Sequence, residues 1–341
     1  MRPRPLRRLS FGFIVVAALA LQAAITAAFA QAPKRELAPL SSPKIALVAF
    51  ENSPFPYRGE VPEKNKPFID VIEGDRLGHT SPRGGIYWED QTYSDRRALL
   101  YIPRGFDPRR PALVVVFFHG NEATLTRDVR NRQEVPRQLA ESGLNAVLVA
   151  PQFAVNALDS SAGRFWEPGV FPQFLNEASE RLTQLYGDER ARGAFYGAPV
   201  VFVAYSGGYN PVAFILHSGR VDDRVRGIIL LDGLFAEMEK FADWLARRPP
   251  AFFVSAFGKV ARDENAVLQR MLTERGVRFQ TTLPGSLARG SVSFIAANDE
   301  IKHVDFMTRA WVDDPLKLLL RRIAGFSRRA GVPTGSTPKK K

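Results

Sequence analysis

The chain has 341 residues and no cysteine. Disulfide scaffolding, thiol nucleophiles and cysteine-ligated metals are therefore excluded. Histidine is also scarce: His79, His119, His217 and His303 are the four copies. None stands in an H-E-x-x-H or similar metal-ligand spacing, which argues against a zinc mechanism. Few imidazoles are left to carry proton chemistry. There are no internal repeats, and the arginines are scattered without a nucleic-acid-binding motif.

One long apolar run exists, at the start. Arg2, Arg4, Arg7 and Arg8 precede "FIVVAALALQAAITAA", and Ala28-Phe29-Ala30 follows. A basic n-region, an apolar h-region and an A-x-A site read as a secretory signal peptide over 1–30, cleaved after Ala30, with a periplasmic or extracellular destination. A transmembrane anchor is the competing reading, and the cleavage site with the polar "QAPKRE" beyond it favours the signal. Cleavage would remove four arginines and no acid, taking the formal charge from +12 to +8. That excess reads as a solvated surface suited to contact with an anionic envelope, and no nucleic-acid partner is expected. Residues 327–341, "SRRAGVPTGSTPKKK", read as a basic disordered tail.

Residues 31–85 are rich in Pro and Gly and predict an irregular N-terminal extension, in which "SPFPYRGE" offers a lid. From 86 to 326, apolar runs alternate with helical patterns. That alternation predicts an α/β domain with a mostly parallel central sheet flanked by helices. "GIYWED" and "RALLYIP" suit an antiparallel start. "ALVVVFF" suits a strand buried on both faces, followed by a helix over 126–142 kinked at Pro136. After "NAVLVAP" comes an insertion over 152–169, then the helix "FPQFLNEASERLTQLYG". The remaining strands are "APVVFVAY", "RGIILLD", "PAFFVSAFG" and "SVSFIAA". Helices are expected at "YNPVAFILHSG", "ENAVLQRMLTERG" and "RAWVDDPLKLLLRRIAGF".

The strand "APVVFVAY" runs into Ala204-Tyr205-Ser206-Gly207-Gly208, which departs from the nucleophile-elbow pattern G-x-S-x-G only at Ala204. Two strands earlier stands "FFHGN", and an acid and a histidine follow in the order Ser206, Asp232, His303. On these features, over roughly residues 86–326, the chain resembles the α/β-hydrolase superfamily of serine esterases and lipases.

The chemistry of each residue runs beside that resemblance. A serine hydroxyl is a weak nucleophile until a base takes its proton, and His303, just after the last strand, is the imidazole suited to that task. A carboxylate would hold the imidazole in one tautomer. Asp232, closing "GIILLD", is the preferred acid, with Asp263 and Glu264 one strand later as the alternative. Gly207, after the nucleophile, would give one backbone N–H to the oxyanion, and the resemblance places the second at Asn121. Trp166 and Phe235 are candidates to bind substrate, although an aromatic cluster is more often core. The expectation is an exported serine hydrolase, without cofactor, acting on a small-molecule, lipid or polymer ester. An amide substrate, acyl transfer to an alcohol, and a non-catalytic envelope-binding protein on the same fold stay open, as does the oligomeric state.

Overall fold

The computed structural model describes residues 37–328 apart from 219, 222, 248 and 249. The signal-peptide segment and residues 329–341 of the tail lie outside the described residues. We number the strands of the central sheet β1 (Lys44–Ala49), β2 (Arg97–Ile102), β3 (Leu113–Phe118), β4 (Ala146–Pro151), β5 (Val200–Tyr205), β6 (Val225–Leu231), β7 (Phe252–Phe257) and β8 (Val292–Ala296). Their spatial order is β1-β2-β4-β3-β5-β6-β7-β8. Strand β2 is antiparallel to both its neighbours, and from β4 across to β8 every pair is parallel. The expected mostly parallel sheet is therefore what forms.

Every residue of β3, β4, β5, β6 and β7 is buried, which accounts for their unbroken apolar runs. Alternate side chains still serve opposite faces. Val115, Phe117, Val201, Val203, Ile229 and Leu231 join one core cluster with Leu139 of helix α1 (Val135–Ser142) and Leu319 of the closing helix, Pro315–Arg321. Phe118 and Phe202 point the other way, their rings 6.2 and 5.4 Å from Phe171 of α2 (Val170–Tyr186). Helix α3 (Tyr209–Ser218) follows β5, α4 (Met238–Ala246) follows β6 and α5 (Arg262–Glu274) follows β7.

Several expectations are corrected. The extension over 31–85 is not irregular throughout: Lys44–Ala49 pairs with β2 along the sheet edge, with burial alternating residue by residue. "GIYWED" does not pair with "RALLYIP"; Ile86–Trp88 pairs with Arg76–Thr80, which also pairs with Val71–Glu73 in a small antiparallel ribbon. Pro136 does not kink one helix. Residues Leu125–Arg132 form a π-helical segment, Glu134 turns the chain at φ 49°, and α1 starts afresh at Val135, with Pro136 in its first turn, where its missing N–H costs nothing. At the other end, Ser327 bridges to Leu144 and the Arg328 N–H donates to the Gly143 carbonyl, so the fold runs past 326.

The segment before β2 is bound to the insertion after β4 through aromatic packing. Phe55, Tyr57, Phe68, His79 and Tyr93 cluster together, and Trp166 joins at ring separations of 5.5 Å from Tyr57 and 5.9 Å from Phe68. "SPFPYRGE" is thus part of this cluster through the buried Phe55 and Tyr57, which anchor it to the domain where a lid was expected.

Candidate active site

Parallel neighbours put their C-terminal ends on one edge of a sheet, where α/β folds gather their sites. The loops after β3, β5, β6 and β8 carry Asn121, Ser206, Asp232 and His303. Ser206 stands at φ 53°, in the left-handed region, on a short turn between β5 and α3. Such a conformation costs a residue with a Cβ about 1 kcal/mol or more. The neighbouring chain packs closely around the turn through three glycines. A Cβ on Gly208 would overlap the Phe118 carbonyl, and one on Gly120 would lie 2.7 Å from the Ser206 Cβ. A Cβ on Gly233 would come within 3.2 Å of the Ser206 backbone. Ala204, which replaces the first glycine of the elbow pattern, is fully buried in β5.

Ser206 Oγ lies 2.8 Å from His303 Nε2, and His303 Nδ1 lies 2.6 Å from Asp232 Oδ2. A carboxylate only accepts, so Nδ1 carries the imidazole proton and Nε2 is left to accept from the serine hydroxyl. Asp232 is fully buried, whereas the His303 side chain is 32% exposed. Asp232 Oδ1 accepts from the Gly258 N–H at 2.8 Å, so each carboxylate oxygen has a donor. Asp263 is exposed in the first turn of α5 and is not the acid that meets His303. The four members of the relay, Gly258 included, come from beyond four different strands, β5 to β8.

The loop after β3 is built around a second imidazole. His119 is buried; its Nε2 accepts from the Phe153 N–H at 2.9 Å, so Nδ1 carries the proton and donates to the Gly120 carbonyl at 2.7 Å. Burial lowers its pKa to about 4, so it is neutral at ordinary pH. This imidazole shapes the turn that presents Asn121. Among the described residues the Asn121 N–H donates to no other group, and the Gly207 N–H lies in the first turn of its helix, where no intrahelical acceptor exists. A Cβ on Gly207 would overlap both the Asn121 side chain and the Ser160 hydroxyl, so the two loops touch.

The Asn121 amide satisfies its neighbours in one orientation. Its Nδ2 donates to Ser160 Oγ at 2.9 Å and to the Asp159 carbonyl at 3.0 Å, while Oδ1 accepts from Arg83 Nη1 at 2.8 Å. Ser160, Arg83 and Gly258 are site-adjacent residues that carry no sequence motif, and only the folded chain brings them together.

Tyr205 is the other residue that sequence reasoning passed over. Its ring stacks on His303 at 5.1 Å with 20° between planes, and its hydroxyl donates to the His303 carbonyl at 3.2 Å. Burial pushes its pKa up to about 12, so it stays a donor. The residue before the nucleophile therefore also positions the base. Phe235 lies edge-on to His303 at 5.9 Å and packs near Tyr209 at 6.1 Å, which puts its ring beside the base. Trp166 is buried against Tyr57, Phe68 and, at 6.1 Å, Phe214 of α3; it has no ring contact with His303.

Strand order, the turn at Ser206 and the helix after it define the α/β-hydrolase fold. No protein-family model matches the chain, and no curated protein matches it. Among solved structures, an S-formylglutathione hydrolase from Agrobacterium tumefaciens is 14% identical, with 74% of this chain and 97% of that one covered and a TM-score of 0.43. The S954A mutant of a feruloyl esterase module from Clostridium thermocellum is 15% identical over 80% and 97% of the two chains, with a TM-score of 0.41. An IroE-like serine hydrolase from Shewanella oneidensis is 12% identical over 67% and 75%, with a TM-score of 0.41.

Proposed function

We propose that this chain is an exported serine hydrolase that cleaves a carboxylic ester through an acyl-enzyme. One observation carries the reading: a serine held at a left-handed turn, hydrogen-bonded to an imidazole that is itself hydrogen-bonded to a fully buried carboxylate. Binding alone has no use for that arrangement.

In the first half-reaction His303 Nε2 takes the proton of Ser206 as Oγ attacks the ester carbonyl. The new C–O bond sends the carbonyl electron pair onto oxygen, where the N–H groups of Gly207 and Asn121 receive the charge. Collapse of that intermediate expels the alcohol, protonated by His303. In the second half-reaction His303 takes a proton from water, the hydroxide attacks the acyl carbon, and Ser206 leaves with its proton restored. Asp232 keeps Nδ1 protonated throughout and stabilises the imidazolium. Export rests on the first 30 residues, and the mass of the mature protein recovered from the producing cells tests it.

The test of the chemistry needs no substrate. A fluorophosphonate should form a single adduct at Ser206, read by intact mass and peptide mapping, and none in His303→Ala. Well-folded protein that takes no adduct would refute the reading.

A further inference from the structure

We propose that Arg83 is a specificity residue, and that the preferred ester carries a carboxylate; the inference rests on the hydrolase reading above. Arg83 sits in the turn between the last two strands of the N-terminal ribbon. That turn is held tightly. The Ser81 N–H donates to the Gly85 carbonyl at 3.0 Å, the Gly84 N–H to the Ser81 carbonyl at 2.9 Å, and the Arg83 N–H to Ser81 Oγ at 3.2 Å. Gly84 and Gly85, at φ 94° and 89°, give the chain a path other residues rarely take.

The ribbon is docked directly on the wall of the site. Ser81 Oγ donates to the Leu158 carbonyl at 2.6 Å, and the Leu158 N–H donates to the Tyr87 hydroxyl at 3.1 Å. Two residues further on, Ser160 meets both Asn121 and the space beside Gly207. Arg83 therefore reaches the oxyanion loop from a fixed base, and Nη1 ends 2.8 Å from Asn121 Oδ1.

The charge there is not neutralised. Among the described residues Arg83 has no ion pair. One N–H of the guanidinium goes to Asn121, and the rest of its planar fork is available. A planar, uncommitted guanidinium beside a reaction centre matches a carboxylate in bidentate geometry. A neutral ester offers it single acceptor oxygens but no charge to pair with.

The experiment compares esters that differ only in that charge. Mono-para-nitrophenyl glutarate and para-nitrophenyl pentanoate share their acyl chain length and end in a carboxylate or a methyl. 4-Acetoxybenzoate and phenyl acetate make the corresponding pair on the alcohol side. The readout is the ratio of kcat/KM for the anionic ester to that for the neutral one, which cancels any shared effect transmitted through Asn121. In Arg83→Met the ratio for at least one pair should fall about 10- to 100-fold, as expected for a lost charge-assisted pair. Arg83→Lys should recover part of it, and added salt should lower the ratio in the unmodified protein but not in Arg83→Met. A ratio unchanged in both pairs, with both esters slowed equally, would make Arg83 a support for Asn121 and overturn the proposal. Failure of the hydrolase reading looks different: no ester turns over and Ser206 takes no fluorophosphonate.

Discussion

Replacing Asp232 by Asn tests the relay with almost no change in shape. The carboxylate accepts from two donors, the His303 Nδ1–H at 2.6 Å and the Gly258 N–H at 2.8 Å. An amide has one acceptor oxygen and one NH₂ group, so one of the two donors must lose its partner. If the oxygen faces His303, the NH₂ opposes a fixed backbone N–H, and a buried donor left unmade costs about 1–3 kcal/mol. If the oxygen faces Gly258, the NH₂ opposes the imidazole, which can shift its proton to Nε2. The second arrangement is the cheaper one, because the ring can change tautomer and the backbone cannot. Nε2–H then points at Ser206 and cannot accept its proton. The loss in kcat should be about 10⁴-fold, the size known for the same change in a serine protease triad, or about 5 kcal/mol in the barrier. Fluorophosphonate labelling rates and turnover of para-nitrophenyl acetate measure it, with circular dichroism confirming the fold. Asp263→Asn, on the exposed turn of α5, should change the rate less than 2-fold, in line with a surface substitution. A loss below 10-fold in Asp232→Asn, with the fold intact, would refute the reasoning.

Three further outcomes follow from the geometry. Tyr205→Phe keeps the stack on His303 but loses the hydroxyl bond at 3.2 Å, and should lower kcat about 5-fold with KM unchanged, while Tyr205→Ala should lower it further; steady-state kinetics decide. Gly120→Ala would press a methyl to 2.7 Å from the Ser206 Cβ, and should cut the labelling rate at least about 100-fold and stability by about 1–3 kcal/mol, read by labelling and thermal melts. His119 has a folded pKa of about 4, below the unfolded value of 6.5, so on acidification the unfolded chain takes up a proton first. Stability should therefore fall by about 3 kcal/mol as pH drops from 6.5 to 4, and urea unfolding of His119→Asn should lack that part of the slope.

Much of this was legible in the chain. Strands β3 to β7 announce themselves as apolar runs because both faces are covered, and parallel order then fixes which ends share an edge. Ser206 and Asp232 could be named because each stands directly beyond such a strand, and His303 because it lies in the loop after the last one. What escaped was set by pairing over distance. "KIALVA" alternates as an edge strand does, but its partner, "RALLYI", lies beyond the whole ribbon, and "IYW" looked like the nearer match. Arg83 and Ser160 reach the site only because one loop docks on another, and no local pattern records that. Tyr205 stood inside the motif itself, yet its role depends on where a loop nearly a hundred residues later is laid down.

The relay joins residues 97 and 71 positions apart along the chain. A ribosome therefore makes the nucleophile long before it makes the base. Until β8 is added and His303 swings against Ser206, the serine is an ordinary alcohol, unable to acylate itself on whatever esters surround it. Reactivity toward a fluorophosphonate is thus a clock for the last contact to close, and during refolding it should lag the return of sheet structure.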